Sequence, residues 1–147
     1  MPQLELRRNG AWVKDEIPSA ETISVFLVDD VDELRELVRA GMEEDPDFEV
    51  VGEAGDGRTA LEGISETRPD AVLLDLSMPD MDGFAAIPEI RLRVRDAAII
   101  VLSGFSVDRM GPRVLERGAD AYIEKGTPIQ DLRQATRDAV AMRRSVS

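Results

Sequence analysis

The chain is predicted to fold as an α/β domain around a parallel sheet, on three observations. Between about Thr22 and Ser145, short apolar runs alternate with segments of helical periodicity. Gly, Pro and Asp punctuate the joins, as turns require. Four of the apolar runs also finish in polar groups of chemical use. Ile23–Val28 runs into Asp29-Asp30, Ala71–Leu74 into Asp75, Ala98–Leu102 into Ser103, and Ala121–Ile123 leads to Lys125. Parallel strands would bring all four ends to one edge of the sheet.

The elements follow in order. Ile23–Val28 is the first strand of the alternation. A helix over about Val31–Glu44 places Leu34, Leu37, Val38 and Met42 on one face, and Pro46 marks its exit. Phe48–Ala54 alternates in the manner of an edge strand. Asp56-Gly57 turns the chain into a helix over about Arg58–Thr67, and Pro69 leads to the strand Ala71–Asp75. Ser77–Gly83 reads as a loop. The third helix covers about Phe84–Arg93, with Pro88 tolerable only near its first turn. Ala98–Leu102 and Ala121–Ile123 are the fourth and fifth strands. Between them Gly111-Pro112 predicts a short helix, about Pro112–Arg117, after a long loop; the rival is a kinked full-length helix. In the last helix Thr127 serves as N-cap, Pro128 as first helical residue and Gln130 completes a capping box. Leu132, Ala135, Thr136, Ala139 and Val140 give its buried stripe. Residues 1–21 stand outside the alternation as an N-terminal extension. Asn9-Gly10 between Leu4-Glu5-Leu6 and Trp12-Val13 suits a hairpin turn, and a disordered tail suits the segment equally. Residues 22–145 form the main domain. Nothing after Ser145 suggests an output domain.

Composition narrows the chemistry. At 147 residues the chain is long enough for one real core. Aromatics make up only 4%, so that core is Leu, Val, Ile, Ala and Met. The net charge of -12 opposes direct binding to nucleic acid or anionic membrane. Cysteine and histidine are both absent, which removes disulfides, thiol catalysis, histidine acid–base chemistry and the usual zinc sites. A bound metal would be a hard cation on oxygen ligands. No signal-peptide pattern or membrane-length apolar stretch is visible, and the lack of cysteine is compatible with the cytosol.

Asp29, Asp30 and Asp75 together supply oxygen ligands for a cation such as Mg²⁺. Two carboxylates about 4 Å apart repel by roughly 4 kcal/mol at an effective dielectric near 20. A cluster of three therefore calls for a metal, with Lys125 beside it. Asp75, alone on a central strand, is the candidate nucleophile toward phosphorus. Lys125 suits a phosphoryl oxygen as a point charge, and the Ser103 hydroxyl suits another. Taken singly, each residue has a plainer role: Asp29-Asp30 as a helix cap, Asp75 as a strand-end acid, Ser103 as a loop hydroxyl, Lys125 as solvated surface, Tyr122 as a half-buried strand aromatic. Their order and joint placement favour the chemical reading.

The motifs Val28-Asp29-Asp30, Leu74-Asp75-Leu76-Ser77-Met78-Pro79-Asp80-Met81-Asp82-Gly83, Val101-Leu102-Ser103 and Gly118-Ala119-Asp120-Ala121-Tyr122-Ile123-Glu124-Lys125 resemble the receiver domain of bacterial two-component response regulators, in the stand-alone form of CheY-like proteins. Val50–Gly57 resembles the subgroup that carries a helix-turn-helix output domain. The resemblance covers about residues 22–142. It implies a (βα)₅ flavodoxin-like, doubly wound parallel sheet of strand order 2-1-3-4-5. It implies phosphorylation of Asp75 by a histidine kinase or phosphotransfer protein. The implied Mg²⁺ ligands are Asp30, Asp75 and the Ser77 backbone carbonyl, with Asp29 acting mainly through water. Ser103 and Tyr122 become a switch pair. The fourth helix, fifth strand and fifth helix become the face for a downstream protein partner or a second copy. A cytoplasmic location follows from such a role, and turnover of an external substrate does not.

Three departures stand out. Gly126 occupies the place where the family usually has proline, so a trans and more mobile loop is expected there. Gly111-Pro112 alters the fourth helix, which suggests that phosphorylation rearranges the Ser103–Arg113 segment. Phe105 is bulky near the site mouth and would screen the phosphoryl group from water. Other functions fit less well. An FMN protein needs a phosphate-cradling loop where Asp29-Asp30 stands. The aspartyl phosphatases compared need a second acid where Ser77 stands. A phosphorylation-independent interaction module keeps the fold but leaves the acidic cluster without a use.

Overall fold

The structure, a computed structural model, describes residues 4–6, 12–14, 22–78, 81–104 and 107–146. Strands β1 (Leu4–Leu6) and β2 (Trp12–Lys14) pair antiparallel, Leu6 opposite Trp12. Asn9-Gly10, the expected turn, lies outside the described residues. The main domain runs β3 (Ile23–Val28), α1 (Asp32–Glu43), β4 (Phe48–Ala54), α2 (Gly57–Thr67) and β5 (Ala71–Asp75). It continues through β6 (Ser77–Met78), β7 (Met81–Asp82), α3 (Gly83–Arg93), β8 (Ala98–Ser103), α4 (Val107–Glu116), β9 (Ala121–Glu124) and α5 (Ile129–Val146). The central sheet has the order β4-β3-β5-β8-β9 and every pairing in it is parallel. Counting only its own strands, that is 2-1-3-4-5, the expected doubly wound topology.

Strand alternation sorts the apolar side chains onto two faces. Phe26, Val28, Val72, Leu74, Ile99 and Val101 meet Ile64 of α2, Ile87 and Ile90 of α3, and Val114 of α4. Val25, Leu27, Leu73 and Ile100 meet Met42 of α1 with Leu132, Ala139 and Val140 of α5. Both faces are covered, as an all-parallel sheet requires. The Phe26 ring is closely enclosed. A Cβ at either Gly52 or Gly63 would lie 2.6 Å from it, so strand β4 and helix α2 both give way to the ring.

Three expectations need correcting, and one helix face needs qualifying. Ser77–Gly83 is not an open loop. β6 and β7 pair antiparallel as a small hairpin, Ser77 opposite Asp82, and the Gly83 amide donates to the Leu76 carbonyl at 3.2 Å. The α4 helix spans ten residues from Val107 and contains Pro112, so the short-helix expectation fails. Pro112 and Asp108 are both exposed. The Asp108 carbonyl, deprived of its helical donor, sits on the solvent side of the helix, and half-buried Met110 and buried Val114 still hold the other side. The segment that was to rearrange, Ser103–Arg113, is therefore largely helix. Helix α5 begins at Ile129, and the Pro128 carbonyl accepts from Asp131 and Leu132, so the end of the helix lies one residue beyond the expected Thr127 cap. Finally, Leu34 and Leu37 are exposed, at 39% and 69%, while Met42 is fully buried. They line an apolar groove of about 530 Å³ between α1 and the start of α5.

Replacing Gly63 by alanine is expected to destabilise the protein by about 1–3 kcal/mol through overpacking against Phe26. Alanine is the better helix former by about 1 kcal/mol, so the sign itself tests the packing. Urea unfolding should also show that Phe26→Leu in the same chain recovers much of the loss.

Candidate functional site

The parallel sheet delivers the expected residues to one edge. Asp29 follows the last residue of β3, Asp75 ends β5, Ser103 ends β8 and Lys125 follows β9. Asp29, Asp30 and Asp75 each offer a carboxylate oxygen, and these three atoms lie within 4.8 Å of one another. The Lys125 ammonium stands 3.3 Å from Asp75 Oδ1 and 3.8 Å from Asp29 Oδ2. Asp75 is only 3% exposed and Asp29 8%, while Asp30 is open to solvent. The edge thus holds three anionic groups around one cation, two of them largely withdrawn from water.

Local structure fixes these groups. The Asp29 carboxylate accepts the Val31 amide at 2.9 Å, and its backbone amide donates to the Ala54 carbonyl at 3.1 Å. Asp29 thereby serves the turn into α1 and the acidic cluster at once. The Lys125 amide donates to the Ser103 carbonyl at 2.8 Å, which ties the ends of β8 and β9. Ser103 is buried. Val101 is registered with Tyr122, and Tyr122 packs half-buried on the same side of the sheet as Val101. Ser103, two residues on, shares that side. Leu76 and the following β6–β7 hairpin carry Ser77 directly beyond Asp75. A Cβ at Gly83 would fall 2.5 Å from the Leu76 Cα and 2.7 Å from its carbonyl oxygen, so glycine is required for α3 to start this close to the site. After Lys125 the chain turns at Gly126 with φ +96°, and the described peptide bonds are all trans. Proline, fixed near φ -65°, has no access to that turn. Phe105 lies outside the described residues.

A brace beneath the cluster was not read from the sequence. Arg35 on α1 donates to the Asp29 carbonyl at 2.6 Å, to Glu53 Oε1 at 2.9 Å and to Asp32 Oδ1 at 2.8 Å. Arg39, one turn on, also donates to Glu53. Hydrogen bonding from Arg35 holds the Glu53 carboxyl below the usual glutamate range, burial opposes this, and Arg39 adds to it. Arg35 is correspondingly held above the usual arginine value, chiefly by Glu53. The only signal in the sequence is the i, i+4 spacing of the two arginines, which gives no hint of a partner on β4.

The donor set fits a hard divalent cation. Carboxylate oxygens converge from two strand ends, with neither thiolate nor imidazole available. No described helix is long and apolar enough to cross a membrane.

Two outcomes follow from this geometry. Glu53 has a lowered pKa when folded, so its contribution is present above its unfolded value, near pH 4, and is lost as pH falls through the lower folded value. Glu53→Gln should therefore flatten the loss of stability below about pH 4 in urea titrations. Gly126→Ala should lower stability by about 1–2 kcal/mol, the cost of a Cβ in left-handed backbone, without unfolding the sheet. The same titrations at neutral pH read it.

The chain matches the model of the response regulator receiver domain over residues 25–137. It is 36% identical over 116 residues to the response regulator protein VraR of Staphylococcus aureus, which covers 79% of this chain and 56% of VraR. The chain thus spans little more than half the length of that relative. Among solved structures, it superposes on a LuxR-family two-component response regulator from an Aurantimonas species with TM-score 0.77 and 32% identity, over 82% of this chain and 86% of that one. The signal receiver domain of NarL from Mycobacterium tuberculosis gives TM-score 0.76 and 30% identity, over 82% and 98%. Motifs, topology and the acidic edge agree, and the chain belongs to the response regulator receiver domain family.

Proposed function

We propose that this receiver is a phospho-acceptor switch in which Asp75 takes a phosphoryl group from a histidine kinase or phosphotransfer protein. The observation that carries the reading is the convergence of three carboxylate oxygens within 4.8 Å beside the Lys125 ammonium. Such an arrangement costs stability unless a cation and an anionic substrate complete it.

An Asp75 carboxylate oxygen attacks phosphorus. The bond from phosphorus to the donor nitrogen breaks, and the nitrogen keeps the electron pair. The product is an acyl phosphate on Asp75. Asp30, Asp75 and the Ser77 backbone carbonyl would hold Mg²⁺, with Asp29 acting mainly through water, and the bound ion would supply charge neutralisation and alignment for the transferred group. Lys125, already on Asp75, meets one phosphoryl oxygen. Ser103, at the end of the neighbouring strand, donates its hydroxyl to another. Tyr122 on the same side of the sheet follows the movement of Ser103, which carries the change to the surface formed by α4, β9 and α5. That surface serves a downstream protein partner or a second copy of the chain. Direct nucleic-acid binding is opposed by the net charge of -12. A cytoplasmic site of action and the absence of turnover on an external substrate belong to the same reading.

The test is phosphorylation of the pure protein by a small-molecule phosphodonor, with and without Mg²⁺, read by intact mass. One phosphoryl group should be gained only with Mg²⁺ and only with Asp75 intact, so Asp75→Asn should gain none. If no group is gained and Mg²⁺ does not bind, the chain is a phosphorylation-independent interaction module instead. Lys125→Gln should lower the melting temperature in chelator and lose much of that deficit in saturating Mg²⁺. At about a hundred times its dissociation constant, the ion adds roughly 2.7 kcal/mol to the folded state.

A further inference from the structure

Arg109 and Arg113 on α4, and Arg117 directly after it, follow one another at i, i+4 and i+8 and are all exposed. Most of the described arginines meet a carboxylate, as Arg35, Arg91, Arg137 and Arg143 do. These three do not, among the described residues, although acids outnumber bases by 30 to 18 in the chain. Like charges one helical turn apart weaken a helix. The C-terminal end of α4 favours Arg113 and Arg117, but the mutual repulsion of the row meets no carboxylate among the described residues in a protein with ample acid to neutralise it.

A second observation concerns order. The Arg113 guanidinium lies 5.4 Å from the centroid of the Phe84 ring and that of Arg117 6.0 Å. Both are thus held by one aromatic side chain at the start of α3. Attraction to the ring face immobilises the side chains while leaving N–H donors on the guanidinium edge for other groups. Two ordered forks beside a third arginine suit carboxylates, which guanidinium binds in bidentate geometry.

We propose that Arg109, Arg113 and Arg117, seated on Phe84, form a docking surface for an acidic protein segment carrying carboxylates at helical spacing. The inference rests on the proposed partner-facing role of α4 and deepens it by naming the chemistry of the partner, and its test needs no phosphorylation at Asp75. Protein is favoured over nucleic acid by range. A long polyanion experiences the whole chain, whose net charge is -12, whereas a segment one helix long experiences mainly charges within a Debye length, about 8 Å.

The test titrates the full chain into a fluorescein-labelled helical peptide with glutamate at every fourth position, and into its glutamine analogue, by anisotropy at low ionic strength. The glutamate peptide is expected to bind about tenfold more tightly, with the preference falling as salt rises. Arg113→Gln/Arg117→Gln should abolish the preference, and Arg58→Gln, exposed on α2, should keep it. Amide shift changes in the ¹⁵N-labelled wild-type protein should centre on Phe84 and α4, a readout independent of how the variants fold. The proposal is overturned if the double variant keeps the preference, if the shifts centre elsewhere, or if a single-stranded oligonucleotide of equal charge binds more tightly than the peptide.

Discussion

Repulsion among Asp29, Asp30 and Asp75 is the constraint around which the rest of the structure is arranged. Carboxylate oxygens within 4.8 Å of one another, two of the three groups withdrawn from water, do not stay together without restraint. Lys125 offsets part of the charge directly. Backbone geometry does the remainder, since parallel pairing fixes where each strand stops. Arg35 then ties the Asp29 carbonyl to Glu53 on the neighbouring strand, so the loop bearing the acids is held by α1 and β4 together. The restraint is covalent and hydrogen-bonded chain, and the unfavourable electrostatics remain available to whatever charge binds there.

The fold divides the labour between the two ends of its strands. Apolar side chains fill both faces along the strand bodies, and the polar groups wait until the last residue or the one after it. Glycines are spent where backbone must approach closely. Gly83 lets α3 start against Leu76, while Gly52 and Gly63 make room for the Phe26 ring. The approach of Gly83 to Leu76 adjoins the site, so a small displacement of α3 would reach Asp75 through Leu76.

Much of this was legible in the sequence because it depends on strand ends. Period-two and period-3.6 patterns located the sheet strands and helices, and the polar residue after each apolar run fell at one edge of the sheet. Asp29, Asp30, Asp75, Ser103 and Lys125 were recoverable on that ground. The failures share a different cause. Pro112 looked like a helix start because its missing donor is local information, while its tolerance depends on solvent facing Asp108. Leu34 and Leu37 share a face with Met42 yet differ from it in burial, because periodicity reports a face and not how far the neighbouring helix reaches. The Ser77–Gly83 hairpin has too few residues to show any period. The Arg35–Glu53 brace joins elements 18 positions apart, and one sequence carries no record of that pairing.

The face covered by α1 and α5 has a further consequence, for synthesis. Its cluster joins Met42, from the first helix of the domain, to Leu132, Ala139 and Val140, from the last. The opposite face needs only α2, α3 and α4, all of which precede it in the chain. During translation the nascent domain can therefore close one side of its sheet early, while Val25, Leu27, Leu73 and Ile100 are covered only by α1 on the other. They wait for α5, Ile129–Val146, which follows every other described element of the domain along the chain. A chain cut short in that segment would leave this face with one of its two helices, and the exposed apolar remainder is the kind of surface that chaperones hold and that aggregates form from.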